Sequence, residues 1–410
     1  MKINKKIFKT LTLTTASAAV LTSTISCEVV NKFLKDPSKQ DNTNPGESTN
    51  KNPITPQSSE QYKKPEGLSR IGHWNILNFG GDKSTKLGLK VTAITETILK
   101  TDLDIVGLTE INYKSGDKVN RIVERLNESS SSKWKMVVQP IEDSNPNVNK
   151  ETKEQIAILY KSELFEALPF SNSKIGASWG TQFGNDENNV KRNFKRPLFA
   201  TLFKDIKKDK RIITVFGHLD SPGVKKGSDE ENSSFKEQGT QEVFEARSIP
   251  KAFDYFSSLT TEPAAIVFGG DTNIKTKNQS LFDEMITKKL LYGYTYKNYL
   301  FKSKGKDPFE YYETSLGATT GYANTYDKML FRENNTLDFI TETEKQTFNN
   351  YYKNQHFKFD ILSAYKDGVY NKQEHYKLWK QNYGTTNGIS DHELIRTGIS
   401  DHTLVWIDYK

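Results

Sequence analysis

The chain of 410 residues carries a single cysteine, Cys27. No internal disulfide can form, and no metal site can be built from thiolates. Histidine is scarce as well, at six residues, so chemistry that depends on an imidazole has very few positions to use. No apolar run reaches the roughly 18 residues that a membrane-spanning helix needs. The nearest approach, Leu11 to Ile25, is short and broken by Thr and Ser. Heptads and repeat arrays are absent apart from one short duplication. Neither sign of charge dominates: the formal net charge is +7, and it falls to +3 once the four lysines between Met1 and Lys9 are set aside. Such a balance permits a polyanionic partner without announcing one.

Those lysines (Lys2, Lys5, Lys6, Lys9) open a segment without acids, which continues through the small, weakly apolar stretch to Thr24-Ile25-Ser26-Cys27. A basic start, a short apolar stretch and small residues at a cleavage point predict a signal peptide over residues 1–26. Its end resembles the lipobox of bacterial lipoproteins, with Thr24 where Leu is usual. That resemblance implies a lipidated Cys27 as the new N-terminus and a protein anchored on the extracellular face of the cell membrane. Residues 28–67 are rich in Lys, Asn, Ser, Pro, Gln and Glu, with little to bury beyond Val29, Val30, Phe33 and Leu34. Such a stretch cannot repay its ordering entropy. Residues 27–67 are therefore expected to be a disordered tether, and ~40 residues of coil span on the order of 35 Å. The remaining body runs over 68–410.

Within the body, β-type runs alternate with helical ones. Strands are expected at Arg70 to Leu77, Leu103 to Leu108, Trp134 to Gln139, Gln155 to Tyr160, Pro197 to Phe203, Arg211 to Gly217, Ala265 to Phe268 and Thr403 to Tyr409. Helices are expected at Lys86 to Lys100, Lys118 to Asn127, Glu237 to Phe256 with a break near Pro250, and Ser280 to Leu290. Without strict βαβ alternation, this count predicts two packed sheets with helices outside. The stretches 291–326 and 331–389 read as large loops or insertions.

The polar residues that fall at strand ends carry the chemistry. The pentad Gly269-Gly270-Asp271-Thr272-Asn273 follows the apolar run Ala265-Ile266-Val267-Phe268. Its glycines would let the backbone turn tightly, and Asp271 and Asn273, two apart, would point to one side of an extended chain. Asn75 stands in Gly72-His73-Trp74-Asn75-Ile76-Leu77-Asn78-Phe79, Glu110 closes Asp104-Ile105-Val106-Gly107-Leu108-Thr109-Glu110, and His218 follows Val215-Phe216-Gly217. Asp327 stands in Tyr326-Asp327-Lys328-Met329-Leu330, and Asp401-His402 precede the last strand.

In this order the motifs resemble the endonuclease/exonuclease/phosphatase superfamily, of which deoxyribonuclease I is the best-known member. Among its branches the chain looks most like the lipid-anchored membrane nucleases of wall-less bacteria. The resemblance covers about residues 70 to 410. It implies an α+β fold, a four-layered α/β sandwich of two packed mixed β-sheets with helices outside, and hydrolysis of phosphate esters with a divalent metal. It implies Glu110 and Asn75 as the metal-proximal pair, with Glu110 the direct ligand and Asp401 beside them. The ion implied is Mg²⁺, with Mn²⁺ or Ca²⁺ as alternatives; few carboxylates and several waters suit an ion that dehydrates reluctantly. Glu154 is implied as the carboxylate that orients His218, and Asp327 as the partner of His402. Asp271 and Asn273 would orient the attacking water and contact the phosphoryl oxygens, and Arg196 would grip the phosphate.

The closing motif occurs twice, as Gly388-Ile389-Ser390-Asp391-His392 and Gly398-Ile399-Ser400-Asp401-His402. Only the second leads into a good strand, so Asp401 and His402 are assigned to catalysis and Asp391 and His392 to structural or substrate-proximal roles. His73, His356 and His375 have no motif around them and are assigned to packing or the surface. Trp74 and Trp134 read as core aromatics. The function expected is a membrane-tethered, metal-dependent nuclease acting on DNA, with RNA as a second substrate, that feeds nucleotide scavenging. A sphingomyelinase-like phosphodiesterase is one alternative, and a non-catalytic surface lipoprotein serving adhesion or ligand binding is the other. No obligate protein partner is indicated.

Overall fold

The computed structural model describes residues 62–80, 86–143, 153–180, 185–224, 226–227, 230–293, 312–332, 336–340 and 357–410. The expected signal segment, Cys27, most of the tether, His356 and the aromatic stretch from Tyr294 to Phe301 lie outside these residues. The order of elements is β1 (Ser69–Phe79), α1 (Lys86–Lys100), β2 (Ile105–Asn112), α2 (Asn120–Ser129), β3 (Trp134–Val138), β4 (Glu154–Lys161), β5 (Phe165–Leu168), β6 (Gly176–Trp179), β7 (Leu198–Asp205) and β8 (Lys210–His218). It continues with α3 (Thr240–Arg247), α4 (Ile249–Ser258), β9 (Ala265–Asp271), α5 (Ser280–Thr287), β10 (Tyr292–Gly293), β11 (Ser315–Leu316), β12 (Tyr322–Asn324), β13 (Asp327–Arg332), α6 (Lys372–Tyr383) and β14 (Val405–Tyr409).

Two large sheets result. One has five strands in the order β14-β1-β2-β4-β3; the other has seven, β10-β13-β9-β8-β7 with both β5 and β6 on β7. Each is mixed, because β1 and β2 run parallel in the first, as do β8 and β9 in the second, among antiparallel neighbours. Side chains alternate faces along a strand, and here the alternation feeds separate cores. In β1, Ile71 packs between the sheets while Trp74 and Ile76 turn outward. In β14, Val405, Ile407 and Tyr409 point inward, and Leu404 and Trp406 join the outer core beside Ile94 and Ile98 of α1 and Trp379 of α6. A third core lies on the outer face of the seven-stranded sheet, where Ile213, Val215, Ile266 and Phe268 meet Phe253 and Phe256 of α4 and Leu281 and Phe282 of α5. Helices outside two packed mixed sheets form the expected α+β sandwich.

The sheets approach closely where glycine removes a side chain. A Cβ on Gly107 would lie 2.1 Å from the Phe216 ring, and one on Gly269 would lie 2.8 Å from both His73 Cβ and Phe216. Both glycines of the pentad therefore stand inside β9, not at a tight turn beyond the strand end: Gly269 serves the contact between sheets, and Gly270 lies against Phe268 and the Gly217 carbonyl of its own sheet.

Other differences are local. Pro250 sits in the first turn of α4, where its missing N–H is no loss, so the expected break starts a second helix. Tyr62 is buried against Phe359 and Trp406 and its carbonyl accepts from Arg70, so the folded body begins before residue 68. β5 and β6 went unanticipated, being four residues each. The stretches read as loops contain β10 to β12 and α6, the last closed by the Asn371 side chain at its N-terminus and by Gly384 in the left-handed region (φ 79°) at its C-terminus.

Overpacking a closed seam destabilises by about 1–3 kcal/mol and at times more. Gly107→Ala is expected to lose about 3 kcal/mol, read as a lower denaturation midpoint in urea at unchanged slope. A wild-type midpoint would show that the sheets do not meet at Phe216.

Candidate active site

The inter-sheet face turns polar at one end. On six strands a polar residue stands two or four positions from an inter-sheet core residue: Asn75 and Ile71, Thr109 and Ile105, Glu154 and Ile156, His218 and Phe216, Asp271 and Val267, Asp327 and Met329. The alternation that builds the core thus aims these side chains into one cluster at its edge.

Two imidazole–carboxylate pairs face each other across Asp271. His218 Nδ1 lies 2.7 Å from Glu154 Oε2, and His402 Nδ1 lies 2.7 Å from Asp327 Oδ2. Both Nε2 atoms then turn toward the same oxygen, Asp271 Oδ2, at 3.6 Å from His218 and 3.5 Å from His402. Asn75 Nδ2 donates to that oxygen at 3.0 Å and to Glu110 Oε1 at 2.8 Å, which links the centre to the expected metal carboxylate.

Glu110 reaches this place through a backbone irregularity. The register of β2 against β1 and β4 shifts around it, and Glu110 itself has φ 57°. Bulges re-aim side chains; here the strand continues through Asn112 instead of ending at Leu108. Leu77 and Asn78 opposite also have positive φ, at 47° and 51°. The Asn78 amide donates to Glu110 Oε2. The turned carbonyls of Ile76 and Leu77, with that of Ile399, receive the ammonium of Lys90.

Burial and charge pull these groups in opposite directions. Burial raises the Glu110 pKa, and Glu154 and Asp401 add to the rise against His218 and Asn75. Burial would raise Glu154 too, but Arg196 and His218 hold it at about 2. Burial would raise Asp327 likewise, and the charge and hydrogen bond of His402, with help from His73, hold it well below the usual carboxylate range. His402 is pushed well above its ordinary value: burial acts downward, but Asp327 and Asp271 outweigh it. His218 is raised as well, by Glu154 and Asp271 against burial and Arg196. Lys90 is lowered to about 7 by burial, against Glu110 and Asp401.

Three expected roles shift in the structure. Arg196 donates through Nε to Glu154 Oε1 at 2.9 Å and through Nη1 to Leu219 O at 3.2 Å. Those nitrogens are spent on holding Glu154, so the guanidinium does not offer them as a two-pronged grip on phosphate. Asn273 lies at φ 53°, takes its backbone hydrogen bond to Asp271 Oδ1 and donates from Nδ2 to Leu219 O. It ties the end of β9 to the loop after β8, and the extended geometry that would point it alongside Asp271 is absent. His73 is no ordinary packing residue, since it contacts Thr109 and approaches Asp327. His375 does have a packed, structural setting, between Glu96 and Tyr365.

Lys90 belongs to no motif, yet it left a signal in the sequence. It stands on the stripe of α1 that carries Ile94 and Ile98, where an ammonium is out of place. Asp391 pairs with Lys372 and Tyr376 away from the cluster.

For a cation, Glu110, His218 and Asp271 present atoms within 4.8 Å of one another. A hard divalent ion takes oxygen in preference to imidazole nitrogen, which points to the oxygen donors. Asp401 Oδ1 is buried without a hydrogen-bond partner, and Asp401 is near enough to Glu110 to raise its pKa. An orphaned carboxylate oxygen beside Glu110 and the Asn75 carboxamide is a donor set that fits a hard divalent ion.

No protein-family model matches the chain. It is 34% identical over 161 residues to an uncharacterized protein of Mycoplasma pneumoniae, a match that covers 37% of this chain and 31% of that protein. The chain thus spans less than a third of the curated relative it matches. Among solved structures it is similar to the catalytic domain of human nocturnin with a bound sulfate (12% identity, TM-score 0.47, 84% of this chain and 94% of that one). It is also similar to an endonuclease/exonuclease/phosphatase family protein of Bacteroides thetaiotaomicron (12%, TM-score 0.47, 83% and 97%) and to a mannosyl-6-phosphatase of the same organism (12%, TM-score 0.47, 83% and 99%).

The pair at His402 is directly testable. In Asp327→Asn the first of the carboxylates that raise His402 is neutralised while its burial remains, so its titration midpoint, followed by NMR of the imidazole, is expected to fall. An unchanged midpoint would mean that Asp327 does not set the protonation of His402.

Proposed function

We propose that the chain is a divalent-metal-dependent phosphodiesterase of the endonuclease/exonuclease/phosphatase type, a nuclease that acts on DNA and also on RNA. The observation that carries this reading is the convergence of two carboxylate-backed imidazoles on one oxygen of Asp271. Hydrolysis of a phosphodiester forms a bond from water oxygen to phosphorus, breaks a P–O bond opposite, takes a proton from the water and returns one to the leaving oxygen. Asp271, between the rings, is placed to orient the water and accept its proton. An imidazolium beside it is placed to donate to the leaving oxygen, and the carboxylate behind each ring keeps that proton available. Asn75 holds Asp271 and Glu110 in a fixed relation, so the polar groups need not reorganise as charge develops. Glu110, Asn75 and Asp401 would hold the metal, which supplies positive charge next to the phosphoryl oxygens.

Pairing both imidazoles with carboxylates, and burying the whole set, has no use in an adhesin. A lipid-directed enzyme would need an apolar surface beside the cluster. Among the described residues the exposed large apolar side chains are Ile141, Ile175, Val190, Ile206, Val224, Leu290 and Tyr383. The reading takes nucleic acid, not sphingomyelin, as the substrate, and the assay below separates the two. Nucleotide scavenging at the outer face of the membrane would follow if Cys27 carries the anchor. Among the described residues no helix is long and apolar enough to cross a membrane.

The test is incubation of the purified protein with plasmid DNA, RNA and sphingomyelin, with and without EDTA. Nucleic-acid cleavage that EDTA stops is expected, and Glu110→Gln is expected to lower turnover at least ~100-fold, the scale of a lost transition-state stabiliser. Full activity of that variant in EDTA would rule out metal-assisted hydrolysis.

The tether has its own test. Cys27→Ser is expected to leave turnover intact while releasing the protein from membranes or halting its processing. A variant that still partitions into detergent with an unchanged N-terminus would refute lipidation.

A further inference from the structure

His73 stands on β1 two residues before Asn75, its side chain fully buried between the sheets. Its neighbours on that face, Ile71 of the same strand, Ile105 of β2 and Phe216 of β8, are apolar. An imidazole placed there loses its hydration and must be repaid by hydrogen bonds. One is clear: Nε2 lies 3.0 Å from Thr109 Oγ1. The other nitrogen, Nδ1, faces Asp327 Oδ1 at 3.4 Å, and neither of these two buried atoms has any other hydrogen-bond partner. Asp327 uses its second oxygen, Oδ2, for His402.

The tautomer follows from electrostatics. A bare Nδ1 lone pair against a buried carboxylate is repulsive, whereas Nδ1–H against it is attractive, so the proton sits on Nδ1 and the threonine hydroxyl donates to Nε2. Asp327 then receives one donor on each oxygen, from rings on opposite sides. The ring of His73 cannot swing away: Phe216 stacks on it with centroids 6.3 Å apart at 19°, and Gly269 of β9 comes so close that a Cβ there would lie 2.8 Å from His73 Cβ.

We infer that His73 is a positioning residue that clamps the plane of Asp327 from behind and thereby fixes the direction of the His402 imidazole. Thr109 is the next link, setting which nitrogen of His73 carries the proton. The chain Thr109, His73, Asp327, His402 runs across three strands, β2, β1 and β13, to the segment just before β14. It makes the geometry of the reacting ring depend on the joint between the two sheets. The inference rests on the reading of His402 as a proton carrier. The spectroscopic arm of its test is independent of that reading.

Three variants separate positioning from packing. His73→Phe keeps the ring volume and removes both nitrogens, His73→Asn places an N–H where Nδ1–H was, and Thr109→Val keeps shape and removes the hydroxyl. Loss of an outer partner of a working side chain typically costs 10–100-fold. His73→Phe is expected to lower kcat about tenfold, at the mild end of that range, with KM within about twofold, His73→Asn to recover most of the loss, and Thr109→Val to fall between wild type and His73→Phe. In an Asp327→Asn background His73→Phe should add little further loss, because its effect passes through Asp327. Independently of turnover, the low-field proton of the His402 Nδ1–H bond to Asp327, followed by NMR, should move or broaden in His73→Phe and return in His73→Asn. Equal impairment of the Asn and Phe variants, losses that multiply with Asp327→Asn, or an unperturbed His402 proton would overturn the inference. Should His73→Phe fail to fold, Thr109→Val decides alone: a wild-type kcat together with an unshifted His402 proton refutes it. Loss of turnover in none of the variants, including His402→Ala, alongside a shifted His402 proton would instead strike at the proposed mechanism and leave the clamp standing.

Discussion

The close-packed seam between the two sheets is the constraint on which the site depends. Along it the sheets touch where glycine leaves room, Gly107 against the Phe216 ring and Gly269 against His73. Close-packed interiors transmit displacement because they have no slack, so a polar side chain standing at the end of this seam inherits its position from the whole core. Both halves of each imidazole–carboxylate pair are held this way. Glu154 and His218 come from different sheets, and Asp327 of the seven-stranded sheet meets His402 just ahead of β14 of the other. The site exists only while the sheets are docked.

Such a cluster is unfavourable as a structural device. Buried charges lose hydration that their mutual attraction only partly offsets, and apolar replacements are often as stable. Here the carboxylates are held by imidazoles, an arginine and an asparagine, while Asp401 keeps a buried oxygen without a partner. Lys90 answers part of that negative charge from behind, its ammonium bound by three backbone carbonyls, of which one belongs to Leu77, held at positive φ. Local rules broken at several adjacent positions, with compensation supplied by distant elements, are what a functional site looks like in physical terms.

Alternation and helical periodicity made much of the fold legible. The expected α1 matches its observed span, and the inward and outward faces of the last strand are those that alternation predicts. Short edge strands such as β5, β6 and β10 were not legible, because two to four residues carry too little pattern to rise above a loop. The residues of the cluster could be named from motif order, but their directions could not. Arg196 and Asn273 are the clearest cases: each stands beside the site, yet hydrogen bonds to Glu154 and Leu219 turn its polar atoms to supporting tasks. Glu110 at φ 57° and His73 behind Asp327 depend on a bulge and on contact between sheets, and neither is written in a local pattern.

The duplicated Gly-Ile-Ser-Asp-His shows the same limit from the other side. In the first copy Ser390 accepts from the Glu393 amide and caps a helical turn, and Asp391 pairs with Lys372 and Tyr376. In the second, Ser400 Oγ donates to the carbonyl of Asn75 and accepts from the His402 amide, while Trp74 Nε1 donates to the carbonyl of His402. Identical side chains thus perform local capping in one place and long-range attachment in the other. The residues C-terminal to each copy make the difference. Leu-Val-Trp-Ile-Asp-Tyr can enter the sheet beside β1, where Ile71 opposes Ile407 and His73 opposes Val405, whereas Leu-Ile-Arg-Thr-Gly winds into a helical segment. Pairing with β1 brings His402 to the strand that also carries Asn75 and His73. The motif supplies the imidazole, and the strand that receives it decides where that imidazole stands.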